Sequence, residues 1–377
     1  MAASLVEDQL SELVAIPSVN SGFGGPGEDA VGKHVSKFLR QRGLKVEEQE
    51  VFPGRCNVVA RIEPEDLAGR PGVLLESHMD TVAAREWKEG DPFIPRVVDG
   101  RLYGRGASDT KASLAVMLAV VDYFARRPGE LKAPLVFAAS VDEEVGQVGA
   151  FKLMDLGLPL AGAITGEPTQ CQIVHAHKGF FRCRLGVRGV AAHSAFPEKG
   201  DNAILRMGRV LTQVAAYLEE LKGRPGHPSL GCPTLSVGTI RGGEAINVVP
   251  DRCSIELDRR MLPGETEEVV RREIEALVGG ETGGGIDETV VRPGLNTDPQ
   301  SPFAAGLAAA VKRHNQDRCE FQAAPYMTNA TAYAAAGVPA LVFGPGDIAQ
   351  AHTDSEFVEL AELDKAFSIF KTFLSYE

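Results

Sequence analysis

Val73-Leu74-Leu75-Glu76-Ser77-His78-Met79-Asp80 is a short apolar run that stops at a histidine and an aspartate. Three other stretches of the chain repeat that design. Residues 135–140 lead into Asp142-Glu143-Glu144, and residues 161–165 lead into Gly166-Glu167-Pro168. Residues 339–343 open a loop, Gly344-Pro345-Gly346, that reaches His352. Short apolar runs bounded by glycine, serine or proline read as buried strands. Between them lie helical patterns, of which 112–126 is the strongest. The alternation predicts an α/β fold: a mixed, mostly parallel sheet sandwiched by helices. In such sheets ligands and metals gather beyond the carboxyl ends of the strands.

The chemistry-bearing side chains sit at those ends: His78, Asp109, Glu143, Glu144, Glu167 and His352. Hard carboxylates and imidazoles without cysteine suit one or two zinc-like divalent ions. Asp80, beside His78, is placed to orient the imidazole through its second ring nitrogen. Gly104-Arg105-Gly106-Ala107-Ser108-Asp109 lets the backbone turn tightly and aim Asp109 inward. Each has a plainer reading. His78 reads equally as a surface histidine, Asp109 as a helix N-cap, and 142–144 as a solvated acidic turn. Crowded carboxylates at a strand end are nonetheless relieved by a cation or a shared proton. One of the pair Glu143 and Glu144 can then bind metal while the other moves protons. The joint order of these segments is more telling than any one of them.

From about residue 180 the pattern changes. Strands at 180–188, 234–240, 253–261 and 288–292, with helices at 202–221 and 265–278, follow the order βαββαβ of a ferredoxin-like module. A glycine-rich turn is expected at 279–285. The economical organisation is a catalytic domain of residues 1–179 and 294–377, interrupted by an inserted lid or dimerisation domain of residues 180–293. Within the insert, His193 could stabilise an oxyanion, and Asn247 and Arg260 could hold a substrate carboxylate. His34, His175, His177, His227 and His314 read as structural or solvated.

Composition narrows the class. Lys and Arg number 39 against 51 Asp and Glu, a formal charge of −12, which disfavours a nucleic-acid partner. Residues 1–13 lack the basic start and apolar core of a signal peptide. The most apolar helical stretch, 114–125, is too short to span a bilayer, so no membrane partner is expected. Six scattered cysteines without a CxxC pair read as reduced thiols. A cytoplasmic protein is expected.

Taken in order, Ser77–Asp80, 104–111, 142–144, 166–169, Ala192-His193-Ser194, Asn247, 258–264 and 344–352 resemble the co-catalytic zinc hydrolases. That family includes acetylornithine deacetylase, succinyl-diaminopimelate desuccinylase, aminoacylases and carboxypeptidase G-type enzymes. Ala176-His177-Lys178-Gly179, Pro233-Thr234-Leu235 with Gly242-Gly243, and Gln350-Ala351-His352 are most similar to the acetylornithine deacetylase branch.

The resemblance implies a zinc-peptidase-like fold and two divalent ions, zinc with cobalt as the alternative. It implies that Asp109 bridges them, His78 and Glu167 completing one site and Glu144 and His352 the other. Glu143 is then the general base and Asp80 orients His78. Asn247 and Arg260 hold the substrate, and His193 crosses a homodimer interface to the partner's site. The implied reaction is metal-dependent hydrolysis of the amide bond of an N-acyl-L-amino acid, as in acetylornithine deacetylases, releasing a carboxylate and a free amino acid; the alternative is a dipeptidase, carboxypeptidase or succinyl-diaminopimelate desuccinylase on the same scaffold. Asn329 stands where the family often carries an acid, which bears on recognition of amine-containing substrates. Ala112 stands where glycine is frequent.

Overall fold

A computed structural model describes residues 2–376 apart from 86 and 282. Position 282 of the expected glycine-rich turn, and Met1 of the amino-terminal stretch, lie outside the described residues. The chain divides into two compact units. The first comprises Met1–His175, Thr297–Gln322 and Thr328–Glu377; the second comprises Ala176–Asn296 and Ala323–Met327.

The first unit is built on a mixed sheet of β1 (Val46–Phe52), β2 (Arg55–Ile62), β3 (Gly72–His78), β4 (Leu135–Ser140), β5 (Leu160–Thr165), β6 (Ile173–His177) and β7 (Ala340–Val342). Their order is β1-β2-β4-β3-β5-β7-β6. The central four, β4, β3, β5 and β7, run parallel, and the flanking pairs are antiparallel. Parallel strands covered on both faces need apolar side chains throughout, and β3 and β4 are buried along their whole lengths.

The helix Lys111–Ala125 buries thirteen of its fifteen residues, as a helix apolar all round must. It packs on β3 and β4, and the helices Ala2–Val14 and Leu360–Leu374 pack on it in turn. Because the central strands point the same way, the segments after β3, β4, β5 and β7 all emerge at one edge of the sheet.

Short elements such as the helix Val148–Leu153 and the strands Arg96–Val98, Arg101–Tyr103 and Phe357–Glu359 escape the sequence reading, and so do two longer ones. The helix Leu360–Leu374 buries Leu363, Ala366, Ile369, Phe370, Phe373 and Leu374, a helical periodicity that was there to be found. Strand β6, Ile173-Val174-His175-Ala176-His177, is short and carries two histidines, so its composition gave no strong strand signal.

In the second unit Gly179–Arg188, Thr234–Gly242, Arg252–Met261 and Gly285–Arg292 form one antiparallel sheet. Burial alternates along Arg252–Met261, as expected of a sheet with one face covered. The helices Ala203–Gly223 and Glu267–Ala276 supply Met207, Val210 and Ile274 to its core, against Phe181, Leu185 and Leu257. Asn202 and Thr266 cap their amino termini with side-chain oxygens. The βαββαβ order and the antiparallel pairing are those of a ferredoxin-like module.

Candidate metal centre

His78 is the last residue of β3 and is 1% exposed. Its Nδ1 lies 2.9 Å from the Asp80 carbonyl and 3.4 Å from Asp80 Oδ1. That contact assigns the proton to Nδ1 and turns Nε2 toward Asp109 Oδ1, 3.1 Å away. Glu167, two residues beyond β5, brings Oε1 to 4.0 Å from the same nitrogen. The other oxygen of Asp109, Oδ2, is 3.2 Å from His352 Nε2, which is also 3.0 Å from Glu144 Oε2. One aspartate therefore faces two imidazoles, one with each oxygen. It does not cap the helix that follows, where Thr110 holds the N-cap position.

Local backbone geometry makes these approaches possible. Asp142 and His352 adopt φ of 72° and 63°, turning the chain sharply on either side of the cluster. A Cβ on Gly344 would collide with Ser113 and with the backbone of Glu167, so only glycine lets the loop after β7 pass so close to the loop after β5. Asp80 does more than orient His78. Its two oxygens accept the backbone N–H groups of Glu143 and Glu144, each at 3.1 Å, and so fix the acidic turn to the end of β3.

Electrostatics describe a site built for cations. Ligand atoms of His78, Asp109 and Glu144 lie within 4.8 Å of one another, as do those of His78, Glu143 and Glu167. Burial pushes Glu143 up to about 8 and Glu144 up to about 7, and the Asp109 charge raises Glu144 further. Burial likewise holds Glu167 well above its ordinary range. Burial disfavours the charge on Asp109 too, but hydrogen bonds from His352 and His78 outweigh it and keep the carboxyl low. The same Asp109 contact, then Glu144, raises His352 to about 10. Glu144 Oε1 is buried without a hydrogen-bond partner among the described residues. Carboxylates crowded around two imidazoles, one oxygen left unpaired, fit hard divalent ions.

These shifts have a sign. Glu143 and Glu144, raised above 4.5, stabilise the folded state fully at low pH and lose that contribution as pH climbs to about 7–8. His352, raised above 6.5, keeps its contribution below that value and loses it through about 10. Both make the metal-free protein weaker as pH rises, whereas a bound dication displaces those protons. The thermal-midpoint gap between metal-loaded and chelator-treated protein should therefore widen from about pH 5 to about pH 9. Scanning fluorimetry in matched buffers checks this, and a gap independent of pH would contradict it.

The remaining residues singled out in the sequence lie in the second unit. His193 is exposed on the short strand Ala192–His193, which pairs with Val248–Val249. Its Nδ1 accepts the Ala195 N–H at 3.0 Å, which leaves Nε2 carrying the proton. Asn247 is exposed, and its carbonyl accepts from Ser194 N at 3.1 Å. Arg260 Nε lies 3.0 Å from Asp258 Oδ1.

Asn329 lies in the first unit. It is fully buried, and its amide donates to Glu76 Oε1 at 3.0 Å and Ser140 Oγ at 3.1 Å. Its Oδ1 is buried without a hydrogen-bond partner among the described residues. Local sequence also gave no sign of Glu356, whose carboxylate closes the Asp109 loop.

Residues 74–376 match the model of peptidase family M20/M25/M40, and the chain belongs to that family. It is a metal-dependent hydrolase of amide bonds, from a family that works with two metal ions. It is 34% identical to the acetylornithine deacetylase of Myxococcus xanthus, over 94% of this chain and 92% of that protein. It is 29% identical to a probable carboxypeptidase of Aspergillus niger, covering 96% and 86% of the two chains. The Bacillus subtilis YXEP protein, described as a dinuclear metal binding peptidase, superposes with a TM-score of 0.71 at 17% identity, covering 99% and 97%. No helix among the described residues is long and apolar enough to cross a membrane.

Proposed function

We propose that the protein hydrolyses an N-acyl-L-amino acid, N-acetylornithine being the leading substrate, with two zinc ions. The observation that carries the reading is the two-sided Asp109: Oδ1 toward His78 and Oδ2 toward His352, at 3.1 and 3.2 Å. That arrangement supports Asp109 as the shared ligand, with His78 and Glu167 completing one site and Glu144 and His352 the other. Ions bound there would polarise the scissile carbonyl and acidify the attacking water.

The chain's own groups do the rest. Glu143 takes the proton from the attacking water and returns it to the leaving amine. Asp80 holds His78 and the acidic turn in place. A carboxylate and a free amino acid are released. Asn247 and Arg260 hold the substrate, Arg260 pairing with its α-carboxylate once released from Asp258. The protein works as a cytoplasmic homodimer in which His193 of the partner subunit donates Nε2–H to the developing oxyanion. The exposed His193 with its Nδ1 already occupied, and six free cysteines, favour this reading.

The test is a panel. Metal-replete protein, its metal content fixed by elemental analysis, is assayed on N-acetylornithine, N-succinyl-diaminopimelate and a set of dipeptides. N-acetylornithine should give the highest kcat/KM. Peptides ranking first would reject the deacetylase reading in favour of a dipeptidase or carboxypeptidase.

A further inference from the structure

Beneath the acidic turn lies a layer of buried polar groups that the mechanism above does not use. Asn20 is 1% exposed in the loop after the first helix. Its backbone N–H donates to the Thr81 carbonyl at 2.9 Å, and Val19 bridges Thr81 as a parallel strand would. Its Oδ1 accepts the Gly22 N–H at 2.8 Å, which fixes the orientation of the amide. Nδ2 is thereby aimed at two carboxylates: Asp80 Oδ2 at 2.7 Å and Asp142 Oδ1 at 3.3 Å.

Those carboxylates belong to the two halves of the site. Asp80 faces His78 and accepts the N–H groups of Glu143 and Glu144. Asp142 begins the turn that carries both glutamates and sits in a left-handed conformation, which aspartate tolerates better than most residues and which its neighbours hold in place. Asp142 N donates to Glu28 Oε1 at 3.0 Å. Arg55 grips Glu28 with Nε at 2.6 Å and Nη2 at 2.7 Å, and Nη2 reaches Asp142 Oδ1 at 3.3 Å. Glu28 is 1% exposed and the Arg55 side chain 14%.

We propose that Asn20 is a positioning residue: its amide ties the Asp80 carboxylate to the Asp142–Glu144 turn and so sets where Glu143 and Glu144 stand relative to His78. The Arg55–Glu28 pair anchors the far side of the same turn. The residue type is demanded by the contacts. Only a side-chain amide offers one acceptor to Gly22 and two donors to a pair of carboxylates. An aspartate would keep the Gly22 bond and nearly the same shape, yet set a third carboxylate against Asp80 and Asp142. The inference rests on reading Glu143 as base and Glu144 as ligand.

The experiment compares Asn20→Asp, Asn20→Ala and Glu143→Gln as metal-loaded full-length proteins. Readouts are kcat and KM, the cobalt dissociation constant, the visible spectrum of the cobalt-loaded protein, and the thermal midpoint. Loss of an outer-shell partner typically costs about 10–100-fold in metal affinity or activity. Asn20→Asp should lose that much in kcat with KM little changed, alter the cobalt spectrum, and be worse than Asn20→Ala. If the aspartate variant does not fold, the alanine variant carries the same test at the lower end of that range. Folded variants with wild-type kcat and an unchanged cobalt spectrum would overturn the proposal, as would a lowered midpoint alone. Glu143→Gln separates the two levels. If it still turns over, the base assignment fails; if it is dead while the Asn20 variants are normal, only the positioning role falls.

Discussion

Replacing Glu143 by glutamine lowers kcat by about 10²–10⁴-fold, the range in which a general base contributes, and leaves the metal content unchanged. Glutamine preserves the shape of the side chain, and Gln147 Nε2, now 3.0 Å from Glu143 Oε1, can still donate to its amide oxygen. What disappears is the capacity to take and return a proton. Burial pushes that capacity up to about 8 before any cation is bound; a dication among His78, Asp109 and Glu167 lowers it toward the working pH. The interaction matters only while the proton moves, so the loss falls on kcat and KM changes little. Steady-state kinetics with elemental analysis check it: full turnover with full metal would refute the assignment. The same variant tests the trans role of His193. His193→Ala is expected to be inactive by itself. If the proposed dimer forms with His193 acting in trans, mixed and re-formed dimers of the two variants should regain activity, because one site in each hybrid would have an intact Glu143 and a histidine from its partner. No recovery from hybrids shown to form would place His193 in its own subunit's site.

Part of this site could be read from the chain because its scaffold is written in local composition. Strands β3 and β4 are buried along their lengths and β5 along its last four residues, so each carries a short apolar run, and His78, Glu143, Glu144 and Glu167 stand just beyond those runs. The antiparallel sheet of the second unit alternates, and its alternation was equally legible. Asp109 is a harder case, since glycine, serine and aspartate before a helix describe a cap as well as a ligand. Its contacts are with His78, 31 residues before it, and with His352, beyond Gly344, and no local pattern announces them. Asn20 and Asp80 are 60 apart, Arg55 and Asp142 87 apart, and Ser108 and Glu356 248 apart. No periodicity joins such positions. Asn329 departs from a family pattern, but its burial and the Nδ2 contacts to Glu76 and Ser140 join positions far apart in the chain and have no local signal.

Glu356→Ala should strongly destabilise the first unit. The carboxylate is fully buried and accepts four hydrogen bonds: Arg105 Nη1 at 2.6 Å and Gly106 N at 3.0 Å on Oε2, Ser108 N at 2.8 Å and Asp109 N at 2.9 Å on Oε1. It therefore shapes the loop that presents Asp109. Lying four residues after His352, it also ties that histidine's segment to the same loop, and Arg105 Nη2 reinforces the tie by donating to the Thr353 carbonyl at 2.9 Å. Removing one partner of a buried ion pair costs about 3–5 kcal/mol because the other charge stays behind unpaired, and Arg105 is only 2% exposed. Metal affinity should fall as well, since both imidazoles meet through Asp109. Urea unfolding of the metal-free protein, together with a zinc titration, measures both effects. A control separates the charge from the loop: removing Arg105 as well, in a Glu356→Ala, Arg105→Met double variant, relieves the orphaned guanidinium but not the orphaned N–H groups. The double variant should recover part of the folding stability and none of the metal affinity. A Glu356→Ala protein as stable as the parent would mean that the Asp109 loop holds its shape without this clamp.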